Sequence, residues 1–208
     1  MKTTLNKKSL DDFIIIDYNS NIMPGQHRLN IEKSLALASA LFPFEEWIPT
    51  ENNIWVAKSR IIQKKREPKK WEREMSQVRI LTGRGSVAYF LPELEIKGET
   101  GKRCADLILD GEIMEIKTVS GTRATLGGEF RLAYKQGASL MAKKAGLLEH
   151  SVFIRLKTDL SLISVMSKIA GELKSRSDKG RFICYFEKRK DLHSWTYEEL
   201  RAIIGKNK

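Results

Sequence analysis

The chain has 208 residues, of which 41% are hydrophobic and 30% charged, and its 37 lysines and arginines outnumber its 26 aspartates and glutamates to give a net charge of +11. This composition excludes a disordered chain, and no apolar run approaches the roughly 18 residues that a membrane-spanning helix needs. The positive charge favours a polyanionic partner, either nucleic acid or an anionic membrane surface. The two cysteines and three histidines form no disulfide framework and no zinc motif.

The N-terminus, MKTTLNKKSLDDFIII, starts like a signal peptide, but Asp12 and Asp17 enclose only four apolar residues. The apolar region of a secretory signal is longer. We therefore expect no signal peptide and no transmembrane segment. Two cysteines far apart in the sequence are typical of a reduced compartment, so a cytoplasmic site of action is expected.

A basic stretch at residues 57–73 divides the sequence into two parts. Before it, leucines spaced on one helical face predict a helix over 31–41. Within it, Pro68 argues against one continuous helix. The sequence therefore predicts a partly helical N-terminal segment of unassigned role over 1–56 and a basic domain over 57–208, whose core is at about 71–156.

Beyond Pro68, the periodicity of apolar residues predicts alternating helices and strands. In chain order we predict a helix over 71–82, strands over 87–91, 104–109 and 113–118, a flexible loop over 120–128, a helix over 129–145, a strand over 152–156, a helix over 160–174 with Asp159 as N-cap, a strand over 182–186, and a helix over 197–204 with a capping box at Thr196 and Glu199. This order, α-β-β-β-α-β-α-β-α, predicts an α/β fold, a three-layer αβα sandwich around a central mixed sheet.

The strongest chemical pattern is CADLILDGEIMEIKT at residues 104–118. Asp-Gly between two apolar runs predicts a hairpin with a two-residue loop. In that register Asp106 lies opposite Glu115 in a non-hydrogen-bonded pair, with Cα atoms about 4.5 Å apart. Lys117 is two residues beyond Glu115 and so points to the same face.

Two opposed carboxylates repel each other, and a divalent cation relieves the repulsion. Mg²⁺, or Mn²⁺ in its place, binds one or two carboxylates and keeps waters that can attack a phosphate. Lys117 would position such a water or balance the charge of the phosphate. The alternative interpretation is a plain ion pair between Lys117 and Glu115 or Asp106.

The order of elements and the spacing of these residues resemble the PD-(D/E)xK nuclease superfamily, with Ala105-Asp106 in place of Pro-Asp and Glu115-Ile116-Lys117 as the second half of the motif. The resemblance implies that Asp106, Glu115 and Lys117 are catalytic. It also implies that Asp106, Glu115 and the backbone carbonyl of Ile116 bind the metal.

Two further residues follow from the same resemblance. An acidic residue on the first core helix often completes the metal site in this superfamily; Glu74 is our choice and Glu72 the alternative. Gln136 resembles the catalytic glutamine of RecB-like members. More specifically, residues 81–121 are similar to the C-terminal tRNA-nuclease domains of contact-dependent growth inhibition toxins. That similarity implies a tRNA substrate and a cognate immunity protein. An immunity protein with an acidic surface would be complementary to a basic cleft in the nuclease.

Basic residues near the predicted core are expected to contact phosphates through charge alone. The candidates are Arg84, Arg123, Lys64, Lys65, Arg66, Lys69 and Lys70. The sequence contains no recognisable base-reading motif, which favours RNA or shape recognition over DNA. Three functions stay open: a toxin-like RNA nuclease, a DNA endonuclease of the same fold, and a non-catalytic basic nucleic-acid-binding protein.

Overall fold

The computed structural model describes residues 24–92, 105–144 and 149–205. In these ranges helices and strands alternate along the chain. The elements are α1 (Pro24–Leu41), β1 (Trp47–Glu51), β2 (Ile54–Ala57), α2 (Lys58–Arg66), α3 (Pro68–Thr82), β3 (Ala88–Phe90), β4 (Leu107–Leu109), β5 (Glu112–Val119), α4 (Arg123–Lys144), β6 (His150–Leu156), α5 (Leu162–Leu173), β7 (Arg181–Phe186), β8 (Asp191–Thr196) and α6 (Tyr197–Gly205).

All eight of these strands form one mixed sheet, in which the spatial order follows the chain order from β1 to β8. The pairs β2–β3, β5–β6 and β6–β7 are parallel, and each is joined through one or two helices. The other neighbouring pairs are antiparallel. A chain that crosses over by helices and returns by hairpins in this way builds a layered α/β fold.

Helices cover both faces of the sheet. On one face, α2 and α3 pack against the even-numbered residues of β5, such as Met114 and Ile116. On the other, α4, α5 and α6 pack against β6 and β7, while α1 packs against Ile108 and Ile113. The predicted three-layer αβα sandwich with a mixed sheet is therefore confirmed. The segment before residue 57 contributes α1 and two strands to the same structure.

Several predicted boundaries are confirmed by their local chemistry. Pro68 is the first residue of α3 and separates it from α2, since proline is favoured at a helix start and not in a helix interior. The capping box before α6 is present: Glu199 N–H donates to Thr196 Oγ1 at 3.1 Å, and Thr196 N–H donates to Glu199 Oε2 at 2.6 Å.

Two predictions about helices were wrong. Residues 123–128 are not part of a loop, because α4 begins at Arg123 and buries Leu126 completely. Two glycines lower the local helix propensity, but burial against the sheet outweighs it. The N-cap of α5 is Ser161, whose Oγ accepts the N–H of Ser164 at 3.2 Å, and Asp159 instead pairs with Lys188.

Strands β1, β2 and β8 were not predicted. β1 contains Pro49, which a sheet tolerates at an edge or a bulge, and the β1–β2 register shifts between Pro49 and Glu51. A turn with Asn53 at φ 64° joins β1 to β2. β8 alternates weakly because His193 and Ser194 interrupt its apolar residues. The predicted loop after Pro92 and the start of the strand at 104 lie outside the described residues. None of the described helices is both long and apolar enough to cross a membrane.

Candidate active site

The β4–β5 hairpin has the predicted register. Leu107 pairs with Met114, Ile108 with Ile113, and Leu109 with Glu112. The loop residues Asp110 and Gly111 both have positive φ, at 51° and 86°, as the two-residue loop of type I′ requires. Continuing this register by one residue beyond Leu107 sets Asp106 opposite Glu115.

Helix α1 holds the hairpin loop in place from the outside. Asp110 Oδ1 accepts the side-chain N–H of Asn30 at 3.0 Å and the backbone N–H of Val87 at 2.8 Å. Gly111 N–H donates to Ser34 Oγ at 2.8 Å. With its loop bonded to a helix and to the adjoining β3, the hairpin can carry functional groups at a defined position.

At the open end of this hairpin, Asp106, Glu115 and Lys117 lie together. Asp106 Oδ2 accepts the backbone N–H of Ile116 at 3.1 Å. Lys117 Nζ donates to Glu115 Oε1. The other carboxylate oxygen of Glu115, Oε2, is buried without a hydrogen-bond partner among the described residues.

The Glu115 side chain is only 1% exposed, and this burial favours the protonated form of its carboxyl group. Burial raises the pKa of this carboxyl well above its ordinary value, and the charge of Asp106 raises the pKa further. Lys117 opposes both effects without cancelling them. The site therefore disfavours the second negative charge, and an added cation would stabilise it.

A buried arginine from α2 completes the charged group. Arg60 is 2% exposed, and its Nη1 donates to the backbone carbonyls of Leu91 at 2.8 Å and Asp106 at 2.9 Å. Its Nη2 donates to Glu74 Oε2 at 2.8 Å and lies 3.7 Å from Asp106 Oδ1. Arg60 belongs to the basic stretch at 57–73, and no signal in the sequence separates it from the exposed residues there.

Of the two acidic candidates on the first core helix, Glu74 is the one near the site. It is buried on α3; burial raises the pKa of its carboxyl, Asp106 raises that pKa further, and Arg60 lowers it. Glu72 is exposed and pairs with Arg79 at 2.6 Å. Arg60 lies between Glu74 and Asp106, so the structure brings these two carboxylates together through a guanidinium group.

The two glutamines of interest take different positions. Gln136 is buried on α4, and its Oε1 has no hydrogen-bond partner within the described ranges. Within the described ranges, no hydrogen bond or ion pair joins Gln136 to Asp106, Glu115 or Lys117. Gln77 on α3, which sequence reasoning missed, donates from Nε2 to Thr118 Oγ1, one residue beyond Lys117.

The basic candidates for phosphate binding are spread over the molecule. Arg84 donates to the carbonyl of Ile80 at 2.7 Å and stacks over Tyr185, and Arg123 donates to Ser167 at 3.2 Å. The structure describes no contact of either arginine with the three hairpin residues. Lys70 pairs with Glu67 at 3.4 Å and Lys69 is exposed, while the side chains of Lys64, Lys65 and Arg66 lie outside the described residues.

The residues at the open end of the hairpin fit a hard divalent cation. The buried Oε2 of Glu115 lacks a partner, and Asp106 supplies a second carboxylate. In an extended strand the N–H and C=O of one residue point to the same side, so the Ile116 carbonyl faces the side from which Asp106 approaches. Two carboxylates and a carbonyl are the oxygen donors that Mg²⁺ prefers. Only two of these three donors are side chains. The described residues contain no group of three or more acidic, histidine or cysteine side chains placed to hold a metal ion.

Fold and site together define an α/β protein with a carboxylate-lysine hairpin. Comparison of the chain with protein-family models, with curated proteins and with solved structures gave no significant match.

Proposed function

We propose that this chain is a metal-dependent nuclease that hydrolyses phosphodiester bonds, with RNA favoured over DNA. One observation carries the proposal: Asp106, Glu115 and Lys117 meet at the open end of one hairpin, where the buried Oε2 of Glu115 has no partner in the described part of the chain. Opposed carboxylates beside a lysine are costly in a sheet unless they serve a cation or a substrate.

Each residue then has a distinct role. Asp106, Glu115 and the Ile116 carbonyl would hold Mg²⁺ or Mn²⁺, which when bound acts as a Lewis acid and lowers the pKa of a coordinated water. Lys117, which donates to Glu115 and is partly exposed, supplies a positive charge that can face the scissile phosphate. Gln136 would be a further catalytic residue on the strength of the resemblance alone.

The alternative of a purely structural ionic cluster is less well supported by the charges present. Glu74 and Asp106 share the cation of Arg60, and Lys70 also acts to lower the pKa of Glu74. The pKa of Glu115 stays raised although Lys117 pairs with it, so a second negative charge beside Asp106 is not fully compensated. Burying an uncompensated charge is strongly destabilising, and a bound divalent cation removes that cost.

The favoured substrate follows from charge and from resemblance. A net charge of +11 gives sequence-independent affinity for polyanions. The similarity of residues 81–121 to the tRNA-nuclease domains of contact-dependent growth inhibition toxins favours tRNA, a toxin-like role inside the target cell's cytoplasm and neutralisation by an acidic immunity protein. A DNA endonuclease would need the same hairpin chemistry, so the substrate has to be distinguished by experiment.

The proposal is tested by incubating total RNA and plasmid DNA with the wild type and with Asp106→Asn, in Mg²⁺, Mn²⁺ or EDTA. We expect discrete tRNA fragments that disappear in EDTA and in the variant. Asp159→Asn, a matched change at an exposed aspartate, should cleave like the wild type. Cleavage of the plasmid alone would move the function to DNA. No cleavage of either nucleic acid with any metal would overturn the proposal in favour of non-catalytic binding.

A further inference from the structure

We infer that Glu74 serves the candidate site as the counter-ion of Arg60, and that Arg60 in turn positions Asp106; neither residue ligates the metal. The inference rests on the proposed function and specifies its metal-binding set. Glu74 and Arg60 are then positioning residues, and the ligands are restricted to the two hairpin carboxylates and the Ile116 carbonyl.

The contacts of Arg60 are those of a structural clamp. Its guanidinium donates to two backbone carbonyls and to Glu74, and it lies 5.0 Å from the centre of the Phe90 ring. The Arg60 side chain is 2% exposed, so its guanidinium has lost its hydration, and hydrogen bonds to protein acceptors replace those to water. A planar guanidinium can hold several acceptors at fixed angles, which a lysine ammonium on a flexible stem cannot do.

The two carbonyls that Arg60 binds define the position of Asp106. β3 ends at Phe90 and β4 begins at Leu107, and between these ends the N–H of Leu91 donates to the carbonyl of Asp106 at 3.0 Å. Arg60 binds the carbonyls of both Leu91 and Asp106. It therefore fixes the backbone at the point where the chain enters the hairpin, and with it the direction of the Asp106 side chain.

Glu74 is engaged in this clamp through its Oε2, 2.8 Å from Arg60. For Glu74 to bind a metal with that oxygen, a buried ion pair would have to break, and Arg60 would lose the carboxylate that it contacts at 2.8 Å. Removing one partner of a buried pair is strongly destabilising, because the remaining charge is uncompensated. Ligation through Oε2 is thus opposed by the same contact that brings Glu74 near Asp106, and that contact assigns this oxygen to Arg60.

The two roles of Glu74 differ in a double-mutant cycle of Glu74→Gln and Arg60→Met. When two residues act through one another, the effects of mutating them are not additive. Mutating a residue that supports a metal ligand typically lowers metal affinity by about 10-fold or more. We therefore expect each single variant to weaken Mn²⁺ binding, measured by calorimetry, by about 10-fold, and the double variant to be no weaker than either. The kcat for RNA cleavage should follow the same pattern. Glu72→Gln, on the exposed face of α3, should leave both quantities unchanged.

Additive losses, with the double variant about 100-fold weaker than the wild type, would make Glu74 an independent ligand and overturn the inference. A second cycle uses Arg60→Lys, which keeps the buried positive charge and so provides a result even if Arg60→Met does not fold. We expect Arg60→Lys to bind Mn²⁺ more weakly than the wild type. Wild-type Mn²⁺ affinity in Arg60→Lys would show that charge alone matters and would also overturn the inference. A wild type that neither binds Mn²⁺ nor cleaves nucleic acid would overturn the proposed function itself, whereas additive losses in an active enzyme would overturn the inference alone.

Discussion

Asp106 accepts the backbone N–H of Ile116 through its carboxylate at 3.1 Å, which ties the residue before β4 to the middle of β5. β4 begins only at Leu107, so the side chain of Asp106 accepts an N–H that a backbone carbonyl would accept if β4 were longer. The consequence is that the Asp106 carboxylate is held against the backbone of β5 at the residue that follows Glu115.

Replacing the hairpin residues one at a time should abolish cleavage while the fold persists. We expect Asp106→Asn, Glu115→Gln and Lys117→Met each to lower kcat by at least about 100-fold, the loss typical when a group that stabilises transition-state charge is removed. Lys157→Met, a matched change at an exposed lysine, should have no effect. Initial rates on labelled tRNA, with circular dichroism to check folding, decide the outcome. Full activity in all three variants would refute the assignment.

Glu115→Gln should also make the metal-free protein more stable at neutral pH. Burial raises the pKa of Glu115 above its ordinary value of 4.5, so the wild type loses stability as the pH rises from 4.5 through that raised pKa. The glutamine has no such titration. In EDTA we expect its Tm advantage to be small near pH 4 and to reach at least about 2 °C at pH 7, the shift that ~1 kcal/mol produces in a chain of this size.

The same argument predicts that Mg²⁺ stabilises the wild type and not the variant. A ligand that binds the folded state alone raises the free energy of unfolding by mass action. Thermal scans of both proteins with and without Mg²⁺ measure this directly. A wild type whose Tm is indifferent to Mg²⁺ and Mn²⁺ at millimolar concentration would contradict the metal site.

His150 should make the fold sensitive to acid. Burial lowers the pKa of His150 to about 4, and its ring packs edge-on against Tyr134 and Tyr197. Because the unfolded chain binds the proton near pH 6.5 and the folded chain does not, stability is lost as the pH falls from 6.5 towards 4. We expect His150→Phe to lose less stability over this range than the wild type, as measured by Tm against pH. Parallel curves for the two proteins would exclude this origin of the acid sensitivity.

Lys69 should contribute to RNA affinity through charge. It is exposed at the start of α3, the helix that carries Glu74. With inactive Asp106→Asn as background, Lys69→Met should reduce the slope of log affinity against log salt concentration by about 1. Lys168→Met is the control, because Lys168 is on α5 and pairs with Glu172. Equal slopes for the Lys69 and Lys168 variants would remove Lys69 from the RNA-binding surface.

Local sequence chemistry determined the hairpin and most helices. Asp110-Gly111 between apolar runs requires a type I′ loop, and the period of two along each strand then sets Asp106 opposite Glu115. Pro68 and the Thr196–Glu199 capping box likewise act on their own neighbours in sequence. These features were predictable because the interactions that produce them span only a few residues.

Tertiary structure alone decided the edge strands, the start of α4 and the role of Arg60. Pro49 sits in a strand because that strand is at an edge, and the glycines at the start of α4 are helical because Leu126 is buried against the sheet. Arg60 reads like any other residue of the basic stretch until α2 packs beside α3 and its guanidinium meets Glu74 and Asp106. A guanidinium can be buried only where acceptors replace its lost hydration, and the acceptors of Arg60 are distant in sequence, so no local pattern encodes its place.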